Sequence, residues 1–227
     1  MYRAKLRARL LRGYPEKSRL TFLTGSITDY FNALNGREKL KNAAPVRISL
    51  NFGQYLSDTM KWFERKFDFE RNEFAVPTLR ERLAAFPLKL AQQVAGIPEQ
   101  QLIRGKWSIK EHIGHLSDLE PLWQGRLEDI INGEKELRPT DLQNTETDLA
   151  GHNDVPLSEL LEKFNQLRVH TVGLLDQITN ADLTKTALHP RLKIPMRITD
   201  HLLFVAEHDE HHLDSILTVL QDRNDRL

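Results

Sequence analysis

The chain has 227 residues, with 32 Lys and Arg set against 32 Asp and Glu, 40% hydrophobic residues and no cysteine. Zero formal charge removes nucleic acid as a default partner. The missing thiols exclude disulfides, thiolate zinc ligands, iron–sulfur clusters and a cysteine nucleophile together, so any metal must be held by His, Asp or Glu. No 18-residue apolar run is free of charge, so the reading is no membrane partner and a cytoplasmic location.

Overall neutrality hides an asymmetry. Residues 1–59 carry eleven Lys/Arg against Glu16, Asp29, Glu38 and Asp58, which makes this arm +7 and the remainder −7. The arm has no sustained apolar period and reads as a loosely ordered basic extension from an over-extended start site, with a functional arm as the alternative. Met60 opens the stretch MKWFERKFDF, whose Trp62, Phe63, Phe67 and Phe69 are suited to closing one end of a core. The domain division is therefore 1–59 and 60–227.

Four helical segments follow. The first, Thr78 to Val94, aligns Leu79, Leu83, Phe86, Leu90 and Val94, and Pro87 should kink it. The second starts at the N-cap Ser108, with Glu111 completing a capping box, and ends near Ile131 before Asn132 and Gly133. The third runs from Leu157 to Ile178, and the fourth from about Arg197 to Asp222. No segment has the alternation of a strand, so the fold class is all-α. Residues 132–156 form a polar link too long for a plain connection, which predicts an antiparallel four-helix bundle with a long crossover between helices 2 and 3.

Nine histidines are present, five of them in two short helical stretches. In the HDEHH run, His208 and His212 are four residues apart, on one helix face and about 6 Å from each other, a span at which two imidazoles can share a cation. A third ligand would come from His112 or His115 on the second helix. Periodicity favours His112, nearer the centre of the apolar face, whereas His115 lies on the flank that an open groove would use. His201 falls on the same strip as His208 and is a candidate for a supporting or substrate-side role. Asp209 stands where the HExxH motif needs Glu, and Glu207, Asp209 and Glu210 read as solvated carboxylates or as groups orienting the imidazoles. His189 and Arg191, in ALHPRLKIPMRITD, are either an anion-binding pair or a plain turn. No P-loop, G-x-S-x-G or GxGxxG occurs, so NTPase, serine hydrolase and dinucleotide readings have no foothold.

WSIKEHIGHLSDLE, the pair His152–Asn153, ALHPRLKIPMRITD and FVAEHDEHHLDSI together resemble the DinB-like superfamily of YfiT-type metal-dependent enzymes, over about Met60 to Leu227. The resemblance implies a four-helix bundle, commonly homodimeric, with a divalent metal held by His115, His208 and His212. It overrides the periodicity preference for His112. It also implies a small-molecule substrate and, from some branches, a small thiol cosubstrate. Three neutral imidazoles leave a divalent ion, zinc or nickel foremost, with an open position. Because the chain has no sulfur nucleophile of its own, thiol-dependent S-transfer with a low-molecular-weight thiol is the leading expectation. Metal-dependent hydrolysis and a non-catalytic, stress-related metal-binding module are the alternatives.

Overall fold

A computed structural model describes residues 62–67, 69, 75–103 and 107–224, all within the unit Lys61–Leu227. The basic arm of residues 1–59 lies outside the described residues. Four long helices make the body: α1 (Val76–Val94), α2 (Ile109–Asn132), α3 (Leu157–Leu174) and α4 (Ile198–Asn224). Each of α1 and α2 packs on both α3 and α4. The fold is thus an all-α four-helix bundle, in which α2 and α4 are direct neighbours.

The helix ends follow local chemistry. Ser108 Oγ accepts from the Glu111 N–H at 3.1 Å while the Glu111 carboxylate accepts from the Ser108 N–H at 2.6 Å, the reciprocal capping box expected at the start of α2. Gly133 ends that helix in the left-handed region at φ 74°, where only glycine is unstrained. The apolar stripes point inward: Leu79, Leu83, Phe86, Leu90 and Val94 of α1 are buried, as are Ile109, Ile113, Leu116, Trp123, Leu127 and Ile130 of α2. Trp62 and Phe67 pack on Phe204 of α4, with Phe69 stacked on Phe67, and cover one part of the core, while Phe63 is 52% exposed.

Helix α1 continues past Pro87, whose missing N–H frees the Leu83 carbonyl; Arg168 Nη1 of α3 takes that carbonyl at 3.4 Å. Two local readings differ from expectation. Helix α3 stops at Leu174 and tightens into a 3₁₀ turn over Leu175–Gln177. The segment before α4 contains a two-stranded antiparallel hairpin, β1 (Ala187–Leu188) and β2 (Pro195–Met196), too short to produce a visible alternation. Leu188 also bridges to Glu136 of the crossover.

The crossover between α2 and α3 is itself built. It holds a short helix, Thr145–Leu149, and a 3₁₀ turn, His152–Asp154, and both pack on α2. Asn153 Oδ1 accepts from Ser108 Oγ at 2.6 Å, and its carbonyl accepts from Lys110 Nζ at 3.1 Å, which pins the loop to the start of α2. Gly114 makes the close approach feasible, because a Cβ there would fall 2.2 Å from the His152 ring.

Candidate metal centre

His115 of α2 and His208 and His212 of α4 are all buried, and one ring nitrogen from each lies within 4.8 Å of the others. Spacing on α4 explains the pair: one helical turn separates the two rings, whose Nε2 atoms are 3.1 Å apart. Two nitrogens bound to one zinc at ordinary lengths and a tetrahedral angle are about 3.4 Å apart. The pair is therefore at ligand spacing without rearrangement.

Hydrogen bonds select the ring atoms. Thr147 Oγ1 donates to Asp118 Oδ2 at 3.0 Å, so it must accept at 3.0 Å from Nδ1 of His115. That leaves the lone pair of His115 on Nε2. His152 Nε2 donates to the same Asp118 oxygen at 2.8 Å, so the carboxylate gathers the crossover around His115. On α4, His212 Nδ1 meets His112 Nδ1 at 2.9 Å, which directs His212 Nε2 toward His208. Among the described residues, His208 Nδ1 is buried with no partner.

Burial is the main cause of low basicity here. It brings His112 and His115 down to about 4, with Asp118 pulling His115 partly back, and it holds His208 and His212 well below 6.5. All four rings are neutral at pH 7, the form in which imidazole binds a cation. A site of three neutral nitrogen donors, backed by a hydroxyl and a carboxylate, fits a divalent transition metal.

The walls are aromatic. All three tryptophans of the chain pack on the histidines: Trp107 on His112, His115 and His212, Trp62 on His208 and His211, and Trp123 on His201 and His208. Trp107 is held by donation from its Nε1 to Asp148 of the crossover at 3.2 Å.

Residues 60–216 match the family model described as the DinB superfamily. The chain belongs to that superfamily. Among solved structures it is similar to YfiT from Bacillus subtilis, described as "a probable metal-dependent hydrolase with an unusual four-helix bundle topology", at TM-score 0.59 and 21% identity over 70% of this chain and 91% of that one. That likeness concerns the fold. Comparison with curated proteins finds no match.

Other candidates in this DinB-superfamily chain take different places. His112 lies against the trio as the hydrogen-bond partner of His212. His201 stands apart, giving its Nε2 hydrogen to the Trp123 carbonyl at 2.9 Å, with the Trp123 ring between it and His208. The carboxylates in and just before the HDEHH run hold cations rather than imidazoles: Glu207 pairs with Arg65 and Arg82, Glu210 with Lys89, and Asp209 with Arg168. Asp209 is 1% exposed, not solvated.

Sequence reasoning missed Arg168 and Glu120. Arg168 donates to Glu120 Oε1 at 2.7 Å from Nε and to both Asp209 oxygens, at 2.6 and 3.0 Å, while Thr171 Oγ1 donates to the other Glu120 oxygen. With the Leu83 carbonyl included, this clasp ties all four helices. Two carboxylates hold the guanidinium protonated against burial, and burial pushes the second acid, Asp209, up to about 6. The signal along the chain was Pro87, which frees the carbonyl that Arg168 takes.

Proposed function

We propose that this protein is a metal-dependent enzyme acting on a small molecule, its divalent ion held by Nε2 of His115, His208 and His212. The convergence of three buried, neutral imidazoles, with His115 fixed in the tautomer that offers Nε2, carries the reading. A divalent ion in such a site acidifies a bound thiol or water near neutral pH. The chain's own residues prepare the ground. Asp118 and Thr147 fix the His115 ring, His112 fixes His212, and the three tryptophans exclude water and offer flat apolar walls to a substrate.

Thiol-dependent group transfer remains the leading reaction, with a low-molecular-weight thiol as cosubstrate. Its support is that each carboxylate of the α4 ligand segment is already bound to an arginine or lysine, so none is free to serve as general base for water. A thiol, far more acidic than water, needs no such base once a cation is beside it. Metal-dependent hydrolysis is the second reading, favoured by the description of the similar YfiT.

The test is a paired assay of the metal-loaded, untagged protein. A panel of small thiols with a model electrophile should show conjugation above background, dependent on metal and lost in His212→Ala. Ester or amide cleavage without thiol dependence would replace transfer with hydrolysis. Neither activity in a metal-loaded protein would leave a binding module.

A further inference from the structure

A second polar cluster lies farther along α2, where Arg126 is 1% exposed. Its neighbours are Trp123, one turn back on the same helix, and the loop of the β1–β2 hairpin. The Arg126 Cζ lies 5.6 Å from the Trp123 ring centroid, and Nε donates to the Arg138 carbonyl at 3.0 Å. No carboxylate bonds to this guanidinium among the described residues. The acid whose charge it feels, Asp129, is taken by the Arg138 N–H and guanidinium at 2.7 to 3.2 Å. Among the described residues, Arg126 Nη2 is buried without a partner.

His189 sharpens the imbalance. Its Nδ1 accepts from the backbone N–H groups of Arg191 and Leu192, both at 3.2 Å, so in the neutral ring the proton must sit on Nε2. Nε2 lies 3.2 Å from Arg126 Nη1. Two donors thus face each other with no acceptor between them. Burial and the charges of Arg126 and Arg191 bring this imidazole down to about 3, so it does not escape by changing its proton count.

Arg191 adds a second cation. Its Nη1 donates to the Phe63 carbonyl at 3.1 Å, its Cζ lies 5.4 Å from the Phe63 ring centroid, and its Nη2 is buried without a partner among the described residues. The charge of Arg191 is among the influences that lower Arg126. The comparison inside the same bundle is direct. Arg168, equally buried, meets two carboxylates, whereas Arg126 meets one backbone carbonyl and the N–H of His189 and lies within the field of Arg191. An uncompensated buried guanidinium is costly, and its hydrogen-bonding geometry suits a carboxylate or phosphate.

We propose that Arg126, His189 and Arg191 form a binding site for a small oxyanion, the carboxylate or phosphate group of a ligand, beside Trp123. The anion accepts from the His189 Nε2–H and from the unpartnered guanidinium nitrogens, which converts a cluster of donors into a satisfied set. Arg191, half-buried, gives the site its solvent side. This inference stands on residues separate from the three histidines, and Trp123 is the side chain the two sites share.

Thermal melts and calorimetric titrations of the full-length protein test it with inorganic phosphate and with acetate, each against chloride at equal ionic strength. At least one of the two oxyanions should stabilise the protein beyond chloride, and which one does so separates a phosphate ligand from a carboxylate one. Arg126→Met should weaken that binding by about tenfold or more. Arg191→Met, at a half-buried position, should do the same and covers the case in which Arg126→Met fails to fold. Equal effects of all three anions on the parent protein would overturn the proposal. So would oxyanion stabilisation that persists in the Arg191→Met protein, since the anion would then be bound elsewhere, the histidine centre included.

Discussion

His208 and Asp209 are adjacent on α4, both are buried, and they belong to polar clusters finished in opposite ways. Around Asp209 every group has its complement: Arg168 meets two carboxylates, a hydroxyl closes Glu120, and a proline-freed carbonyl takes the remaining N–H. Around His208 three rings bring nitrogens within 4.8 Å of one another, and Nδ1 of His208 has no partner among the described residues. A closed network rigidifies the bundle. An open one of the same burial is what the proposed metal would complete, and the clasp begins one residue away from it.

Breaking the closed side should cost most in stability. Arg168→Ala leaves Glu120 and Asp209 buried and unpaired, and should destabilise the fold by about 3–5 kcal/mol in chemical denaturation. A loss below about 1 kcal/mol would mean that the clasp is not the structural element described.

The open side is broken by removing a ligand. His208→Ala should lower zinc or nickel affinity by orders of magnitude in competition titrations while the circular dichroism of the helices is retained. Unchanged affinity would place the metal elsewhere.

Acid distinguishes the clusters by sign. Burial holds His115 and His201 at about 4, and His208 and His212 well below 6.5, so the unfolded chain takes up protons near pH 6.5 that the folded chain refuses. Their contribution is fully present above pH 6.5 and is lost as the pH falls toward 4, by up to about 1.4 kcal/mol per pH unit for each fully buried ring. Asp209, pushed up to about 6 by burial, works the other way: its contribution is present below about pH 3.8 and lost as the pH rises through 6. One carboxyl offsets one ring. Metal-stripped protein should therefore melt at falling temperature from pH 6.5 downward, and a flat profile to pH 4 would contradict the burial of these rings.

The smallest of these effects sharpens the comparison rather than breaking it. Thr147→Val removes the acceptor of the His115 Nδ1 hydrogen and frees that ring's tautomer, so metal affinity should fall about 10–100-fold with little change in helicity. No change would mean that the crossover does not tune the ligand.

Much of this architecture was legible along the chain because its causes are local. Ser108 with Glu111, Gly133 after Asn132, and stripes such as Leu79, Leu83 and Phe86 carry a helix's start, end and buried face in neighbouring residues. His208 and His212 were legible for the same reason, being one turn apart. His115 needed the family resemblance, since helical period alone points to His112, which proves to be the partner of His212. Arg168, Glu120, Asp118 and Thr147 were not legible. Each reads alone as an ordinary polar residue, and its role depends on partners 29 to 85 positions away. The β1–β2 hairpin escaped because two-residue strands leave no period.

The central claim is that the three imidazoles hold a divalent metal, and elemental analysis of the untagged full-length protein tests it most directly. After dialysis the account predicts about one transition-metal ion per chain, removed by a chelator, restored on reloading, and absent from His208→Ala prepared in parallel. A metal-free protein that binds zinc, nickel, cobalt or iron no more tightly than His208→Ala does would contradict it.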